Sequence, residues 1–267
     1  MHDGRAPIEP MTIAGRKIEV MRIAPIRPAL PTLVFLHEGL GSIHLWRDFP
    51  ANVAARTGCG AIVYSRYGNG FSEPLAVPRD PRYMHAEALD ALPELLGRLE
   101  IQSPVLIGHS DGASIALIHA GAFPDRVRAL VLEAPHVFVE DLSVASIAAA
   151  GVEFRDGNLR ERMLRHHEDA DRTFRGWNEI WLDPAFRSWS IESSLATIDA
   201  PVLCIQGSDD RYGTLAQLDA IDAGTRGPVD RVVIAGCGHA PHRERASFVE
   251  NTVVQWLETN ALRRVFS

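Results

Sequence analysis

One serine of this chain stands in a pentapeptide that suits a nucleophile. Ser110 is the central residue of Gly108-His-Ser-Asp-Gly112, between the apolar run 104–108 and the helical pattern 113–118. A serine on a sharp strand-to-helix turn exposes its hydroxyl, and glycine two positions before and after it lets the backbone turn tightly. The pentapeptide alone is common, but a strand before it and a helix after it favour a nucleophile over a helix cap. We therefore predict Ser110 as a catalytic nucleophile.

A serine hydroxyl becomes a strong nucleophile only when a base takes its proton. His239 follows the last apolar strand pattern, on a glycine-containing loop that lets its imidazole reach a site built by other strands. His242, three residues later, is the alternative base, and we expect it to be a solvent-exposed loop histidine. With Cys237 these histidines supply only three metal ligands, so we predict no metal, and the chemistry requires no organic cofactor.

The base in turn needs a carboxylate that fixes its tautomer and stabilises its charged form. Asp209 and Asp210 both follow the apolar run 202–205, and either gives the chain order serine, acid, histidine. One of these two carboxylates could instead be a surface charge or a helix cap. Glu133, after the strand that follows the Ser110 helix, is a third and weaker candidate.

Acyl transfer also requires backbone N–H groups that bind the developing oxyanion. The amide of Asp111, at the start of the helix after Ser110, is expected to be one donor. The second is expected from the glycine-rich loop 37–42, where Gly39 is the preferred residue and Leu40 the alternative. An ordinary glycine-rich turn would have the same composition.

Two carboxylates lie where a negative charge would oppose oxyanion formation. Asp111 follows the predicted nucleophile, and Glu38 lies in the loop 37–42. Either side chain could face the pocket and favour a substrate with an ammonium group or another hydrogen-bond donor. The alternative is internal pairing, for example with Arg47 or Arg66. Position leaves both possibilities open for Asp111 and favours pairing for Glu38.

Short apolar segments typical of buried strands alternate with longer helical patterns along the chain. The predicted strands are 16–24, 32–37, 61–65, 104–108, 127–132, 202–205 and 231–234. The predicted helices are 46–57, 83–99, 111–122, 214–223 and 244–260. This alternation indicates the α/β class, with a doubly wound, mostly parallel sheet and right-handed crossovers.

Residues 140–194 interrupt this alternation because no strong strand pattern occurs among them. Helical patterns at 144–150 and 159–167 precede an aromatic-rich stretch at 174–189. We predict that residues 140–194 form a helical cap inserted into a core of residues 1–139 and 195–267.

The aromatic residues of this predicted cap are candidates for substrate binding. Phe174, Trp177 and Trp181 occur at helical spacing and share one face. That face could line an apolar acyl or alcohol pocket, or it could pack the cap onto the core, which is the favoured interpretation. Neighbouring polar residues are expected to form a solvated helix face: Arg165, His166, His167 and Arg172.

The composition excludes several classes of protein. The chain has 267 residues, of which 46% are hydrophobic and 23% charged, values that suit a folded domain with a sizeable core. Its net charge of −7 gives no electrostatic reason to bind nucleic acid or an anionic membrane. Three widely spaced cysteines argue against a disulfide framework. Without an apolar signal segment or membrane span, we expect a cytoplasmic monomer or homodimer.

The motifs, taken in order, resemble those of lid-bearing α/β-hydrolase fold enzymes of the valacyclovir-hydrolase-like or lactonase-like kind. The resemblance extends over nearly the whole chain. Residues 37–39 resemble the family's oxyanion loop, although Glu38 splits the usual His-Gly pair, and residues 66–72 resemble its RGxGxS turn. Ser65 stands where an aspartate is usual. The family's G-x-x-D selects Asp210, and its catalytic G-H selects His239.

Together these observations predict a serine hydrolase that cleaves a small carboxylic ester or lactone through an acyl-enzyme. Ser110 attacks the carbonyl, His239 accepts the proton and Asp210 orients His239. A carbon–carbon bond hydrolase or perhydrolase on the same triad is one alternative, and a non-catalytic ligand-binding protein on the same fold is another. The residues predicted to contact substrate are Glu38, Leu40, Trp177 and Trp181.

Overall fold

A computed structural model describes residues 6–262 and shows an eight-stranded sheet with helices on both faces. The strands are β1 (Ile8–Ile13), β2 (Arg16–Ile23), β3 (Leu33–Leu36), β4 (Ala61–Ser65), β5 (Val105–His109), β6 (Ala129–Glu133), β7 (Val202–Gly207) and β8 (Val229–Ile234). Their order in the sheet is β1-β2-β4-β3-β5-β6-β7-β8. β1, β2 and β4 pair antiparallel, and β4, β3 and β5 to β8 pair parallel. The predicted α/β class with a mostly parallel sheet is confirmed.

Most helices lie between strands along the described part of the chain, as the sequence pattern predicts, and two follow its last strand. They are α1 (Phe49–Thr57), α2 (Tyr83–Ala86), α3 (Leu92–Arg98), α4 (Asp111–Ala122), α5 (Asp141–Asp156), α6 (Leu159–Met163), α7 (Ala170–Leu182), α8 (Ala216–Gly224), α9 (Pro241–Glu244) and α10 (Ala246–Asn260). A π-helical turn joins α2 to α3, so the predicted helix 83–99 is one continuous helical segment.

The edge strand β1 was not expected from the sequence. It is largely exposed, so it lacks the apolar pattern of a buried strand, and it contains Pro10. Proline is tolerated at the edge of a sheet, where one side of the strand needs no ladder hydrogen bonds. β1 therefore forms because of its place at the edge of the sheet, although its own sequence gives only a weak strand pattern.

The central strands separate two apolar layers. Leu106 of β5 packs with α3 and α4 on one face, and Ile107 packs with α1 and α10 on the other. The alternation follows from the two-residue period of a strand. Both faces of β5 are thereby buried, which fixes the strand that leads into Ser110.

Three helices, α5 to α7, fill the segment between β6 and β7. Phe174, Trp177 and Trp181 of α7 are all buried, as expected for residues that share one face. Phe174 stacks on Phe154 of α5 with ring centroids 3.9 Å apart. The packing of α7 therefore brings its aromatic face over the sheet edge that carries Ser110.

Gly112→Ala is expected to destabilise the protein by about 1–3 kcal/mol or more. A Cβ at Gly112 would overlap the carbonyl group of Leu36, because α4 packs directly against the end of β3. The free energy of unfolding in urea measures this effect. Gly97→Ala is the matched control, since nothing lies near its Cβ position, and removal of a helical glycine should stabilise by about 0.5–1 kcal/mol. Equal effects of the two substitutions would contradict the prediction.

Candidate active site

The predicted catalytic residues lie at one edge of the sheet, where the parallel strands end. Ser110 follows β5, Asp210 follows β7 and His239 follows β8. The loop 37–42 follows β3, which is hydrogen-bonded to β5. Because parallel neighbours end at the same edge, the fold brings these four segments together.

Ser110 occupies a backbone conformation that few non-glycine residues adopt. Its φ is 53° and its ψ is −117°, between the last residue of β5 and the first of α4. Its amide donates to the carbonyl of Glu133 at 2.9 Å, which ties the turn to β6. Such a conformation costs about 1–3 kcal/mol and is typical of functional sites. The neighbouring strands and α4 supply the packing that maintains it.

His239 is paired with Asp210. Its Nδ1 lies 2.9 Å from both carboxylate oxygens. The carboxylate also accepts hydrogen bonds from the amide of Tyr212 and the side chain of Gln206, each at 2.8 Å. These contacts favour a proton on Nδ1, which leaves Nε2 available as a base. Asp209 is exposed and accepts from the Ser208 hydroxyl instead, so the geometry separates the two aspartates.

The surroundings of Asp210 keep its carboxyl group ionised. Burial opposes the charge, but the hydrogen bond to His239 and the charge of that imidazole outweigh burial. The pKa of Asp210 is therefore lowered below its usual value. An ionised Asp210 can stabilise a positive charge on His239.

A cavity of about 110 Å³ opens beside Ser110 and His239. All four residues predicted to contact substrate line it: Glu38, Leu40, Trp177 and Trp181. Its wall also includes residues that the sequence pattern does not single out: His136, Ser143, Ile147 and Tyr212. Tyr212 lies two residues after Asp210, which is the one available sequence signal for its position. The cavity wall is mainly apolar, as in most small-molecule sites.

The loop 37–42 is held by side chains that bind its carbonyl groups. Asn69 donates to the carbonyls of Gly39 at 2.9 Å and Gly41 at 3.1 Å. Trp177 packs so closely on Gly39 that a Cβ there would overlap its indole ring. Among residues 6–262, the amides of Gly39 and Leu40 donate no hydrogen bond. Both therefore remain candidates for the second oxyanion donor.

His167 connects this loop to a second loop. Its Nδ1 accepts from the amide of Gly70 at 3.0 Å, and its Nε2 lies 3.1 Å from the carbonyl of Leu40. The proton therefore lies on Nε2, and the ring is neutral. His167 is 2% exposed, so the prediction that it belongs to a solvated helix face was wrong. The residue pattern could not reveal a pairing with a loop about a hundred positions away.

The stability of the protein should fall as the pH drops from about 6.5 to about 4 because His167 resists protonation. Burial lowers the pKa of His167 from 6.5 to about 4. The unfolded chain therefore binds more protons than the native chain in this window, and acidification favours unfolding. The free energy of unfolding of the wild type and of His167→Gln, measured across this range, tests the effect.

Between about pH 6.5 and 4, the free energy of unfolding should fall more steeply with decreasing pH for the wild type than for His167→Gln. Below pH 4 the two curves should run parallel. His136, whose pKa burial lowers to about 3, acts in the same direction but is present in both proteins. Parallel curves across the whole range would contradict the assignment to His167.

Asp111 is paired inside the protein and does not line the cavity. It is 1% exposed and accepts from the Tyr83 hydroxyl at 2.6 Å. The guanidinium of Arg66 lies 3.7 Å from the same carboxylate oxygen. Of the two possibilities left open by the sequence, the structure shows internal pairing with Arg66.

Asp111→Ala is expected to destabilise the protein by about 3 kcal/mol or more, because it leaves the buried Arg66 charge without its carboxylate. Urea unfolding measures the loss. Asp90→Ala, which removes an exposed carboxylate, is the control and should change stability by less than about 0.5 kcal/mol. A changed preference for amino esters over plain esters at unchanged stability would contradict this role.

Glu38 is both paired and part of the cavity wall. Its carboxylate lies 3.3 Å from Nδ1 of His109, and Nε2 of His109 lies 2.7 Å from the carbonyl of His239. Burial opposes both charges, but their mutual attraction raises the pKa of His109 and lowers that of Glu38. His109 therefore donates from both nitrogens and links the loop 37–42 to the His239 loop. The sequence indicated pairing for Glu38 but did not identify this partner.

His242 lies in the core, so its predicted exposure on a loop was wrong. It is 4% exposed, and its Nδ1 lies 2.9 Å from a carboxylate oxygen of Glu133. Its ring also packs on Trp46, with centroids 4.7 Å apart. Glu133 is thereby engaged by His242, which leaves Asp210 as the carboxylate that contacts His239.

The fold and the site define an α/β hydrolase, with a serine on a strained turn between a central parallel strand and a helix. Residues 33–251, most of the chain, match the alpha/beta hydrolase family. The chain therefore belongs to this family. Among residues 6–262, no helix has both the length and the apolar character needed to cross a membrane.

Comparisons with individual proteins give more distant similarities. A (lyso)-N-acylphosphatidylethanolamine lipase of Homo sapiens is 30% identical over 122 residues, which cover 46% of this chain and 35% of the lipase. The match thus spans about a third of that relative's length.

Two solved structures extend the comparison to nearly the whole fold. The proline iminopeptidase of Mycobacterium smegmatis has a TM-score of 0.76 at 20% identity, over 96% of this chain and 99% of that one. A meta-cleavage product hydrolase from Pseudomonas fluorescens IP01 has a TM-score of 0.71 at 17% identity, over 94% and 97% of the two chains. These identities support the fold and leave the substrate open.

Proposed function

We propose that this protein is a serine hydrolase that cleaves a small carboxylic ester or lactone through an acyl-enzyme. The observation that carries the proposal is one shared cavity: the strained Ser110 and the His239 that is paired with Asp210 both line it. A protein that only binds a ligand has no need of this combination of nucleophile, base and acid.

In the proposed first step, Oγ of Ser110 attacks the carbonyl carbon while Nε2 of His239 takes its proton. The carbonyl oxygen becomes an oxyanion, which the amide of Asp111 and the amide of Gly39 or Leu40 would bind. The intermediate collapses, and the alcohol leaves with the proton from His239. The acyl group then remains as an ester on Ser110.

In the second step, His239 takes a proton from water as the water attacks the acyl-enzyme. The second oxyanion collapses, Ser110 recovers its proton from His239 and the carboxylic acid leaves. Asp210 supports each transfer, because its carboxylate keeps the imidazole oriented and stabilises its charged form. The residues 140–194 act as a cap in this proposal, with Trp177 and Trp181 on the apolar wall.

The cavity volume supports a small group next to Ser110. A cavity of about 150 Å³ holds a benzene molecule, and the cavity here measures about 110 Å³. This space is smaller than the benzene cavity, so a short acyl chain or a ring smaller than benzene suits it. Longer chains would have to extend out of this cavity or displace α5 or α7.

A substrate panel tests the proposal. It contains p-nitrophenyl esters of increasing acyl length, amino-acid esters, lactones and proline p-nitroanilide. We expect turnover of short esters or lactones by the wild type and its loss in Ser110→Ala. Turnover of ring-cleavage products but not of esters would instead favour a carbon–carbon bond hydrolase. Ester turnover that persists in Ser110→Ala would contradict the mechanism.

A further inference from the structure

A second cavity adjoins the candidate active site and shares two wall residues with it, Glu38 and Leu40. It measures about 460 Å³ and is therefore the larger of the two. Three segments that are distant in sequence build it: residues 44–47, residues 159–167 and α9. Four arginines line it, and we refer to it as the basic cleft: Arg47, Arg162, Arg165 and Arg243.

The arginines of the basic cleft have no acidic partner. In the described range 6–262, no carboxylate oxygen lies within 4 Å of any of their guanidinium groups. Arginines that face away from the cleft differ: Arg160 pairs with Asp171 at 2.6 Å, and Arg172 pairs with Asp169 at 3.2 Å. Of the three arginines in residues 159–167, the two that line the basic cleft thus lack a carboxylate partner, and Arg160, which does not line it, has one.

The one carboxylate in the wall of the basic cleft is Glu38, which is engaged by His109 at 3.3 Å. The cleft therefore presents an excess of positive charge on a chain whose net charge is −7. Cations that folding gathers without counter-charges repel one another, and a bound anion would relieve that repulsion.

The electrostatics of His166 and the backbone of Arg47 agree with this picture. Burial lowers the pKa of His166, and the charges of His44, Arg165, Arg243 and Arg47 lower it further. Cations from separate segments of the chain therefore lie close enough to His166 to act on its imidazole together. Arg47 has φ 53° and ψ −128°, a strained conformation for a non-glycine residue, and such strain is typical of functional positions.

We propose that the basic cleft binds an anionic end group of the substrate, a carboxylate or a phosphate, while the scissile carbonyl lies against Ser110. This inference rests on the proposed hydrolase function and names its substrate class. The substrate would be an ester or lactone that carries a carboxylate or a phosphate at the end remote from the scissile bond. Guanidinium groups match the geometry of carboxylates and phosphates through paired hydrogen bonds. Because Glu38 and Leu40 border both cavities, the substrate would pass along these two residues.

Matched ester pairs test the inference. Each pair consists of two p-nitrophenyl esters of equal chain length, one ending in a carboxylate and one in a methyl group. At the chain length that spans the two cavities, kcat/KM should be about tenfold higher for the carboxylate ester, as expected for a charge-assisted hydrogen bond. Added salt should reduce this ratio because the arginines are exposed.

Two variants assign the ratio to the basic cleft. Arg162→Gln combined with Arg165→Gln should lower the carboxylate-to-methyl ratio by about tenfold. Arg160→Gln removes one arginine charge from the same segment, residues 159–167, but outside the cleft, and it should preserve the ratio. A ratio near one at every chain length, or an unchanged ratio in the double variant, would overturn the inference.

Calorimetry with inorganic phosphate separates this inference from the proposed function. The Ser110→Ala protein should bind phosphate, and the addition of both arginine substitutions should abolish binding. Phosphate binding by a protein that hydrolyses no ester would contradict the hydrolase function and leave the basic cleft standing. Ester turnover with neither phosphate binding nor a carboxylate preference would contradict anion binding at the basic cleft and would leave the hydrolase function unaffected.

Discussion

Replacement of Ser110 by alanine should lower kcat for ester hydrolysis by about 10⁴-fold or more, by analogy with serine enzymes that lose their nucleophile. Among residues 6–262, the hydroxyl groups that line the cavity belong to Ser110, Ser143 and Tyr212, and of these only Ser110 lies on the strained turn after β5. Without the covalent step, only oxyanion binding and substrate binding remain to accelerate attack by water. Initial rates with p-nitrophenyl acetate, on protein whose thermal unfolding matches that of the wild type, measure the effect.

Ser143→Ala is the matched control for this prediction. Ser143 lines the same cavity, but its hydroxyl donates to the carbonyl of Tyr212. Loss of this single neutral hydrogen bond should lower kcat by less than about tenfold. If the two serine variants lost activity equally, Ser110 could not be the nucleophile that the mechanism requires.

Asp210→Asn should lower kcat by about 10⁴-fold with little change in KM, as found when the acid of another serine triad is replaced by its amide. The amide nitrogen of asparagine would donate toward Nδ1 of His239, which now lies 2.9 Å from both carboxylate oxygens. The imidazole would then carry its proton on Nε2, where the base must be free. Steady-state kinetics with the best ester of the panel measure both constants.

Asp209→Asn provides a control that differs by one position. It makes the same chemical change on an exposed side chain that contacts Ser208 and not His239. Its kcat should stay within about twofold of the wild type, as for most surface substitutions away from special contacts. Comparable losses in the two asparagine variants would show that the acid has been wrongly assigned.

Local patterns predicted the parts of this molecule that depend on neighbouring residues. The apolar run before Ser110, the glycines around it and the helix after it determine a strand, a turn and a helix within a short segment. The same holds for the strands β3 to β7, whose apolar runs are buried along their whole length. The alternation of β and α units then predicts a mostly parallel sheet with right-handed crossovers.

Contacts between distant segments were not predictable from these patterns. His242 pairs with Glu133 across 109 positions, and His167 bonds to Gly70 across 97. A polar residue on a loop looks the same in sequence whether it faces water or a buried partner. For this reason both histidines were expected to be exposed, and the direction of the Asp111 side chain stayed open until its contacts with Arg66 and Tyr83 were known.

Identification of the residue that becomes covalently modified tests the proposed mechanism most directly. The wild-type protein is treated with diisopropyl fluorophosphate, digested with trypsin and analysed by tandem mass spectrometry. Ser110 lies in the tryptic peptide 99–126, which also contains Ser103 and Ser114. We predict one adduct per chain, on Ser110, with loss of esterase activity in proportion to labelling. An adduct on a different residue, or full activity after complete labelling, would contradict the account.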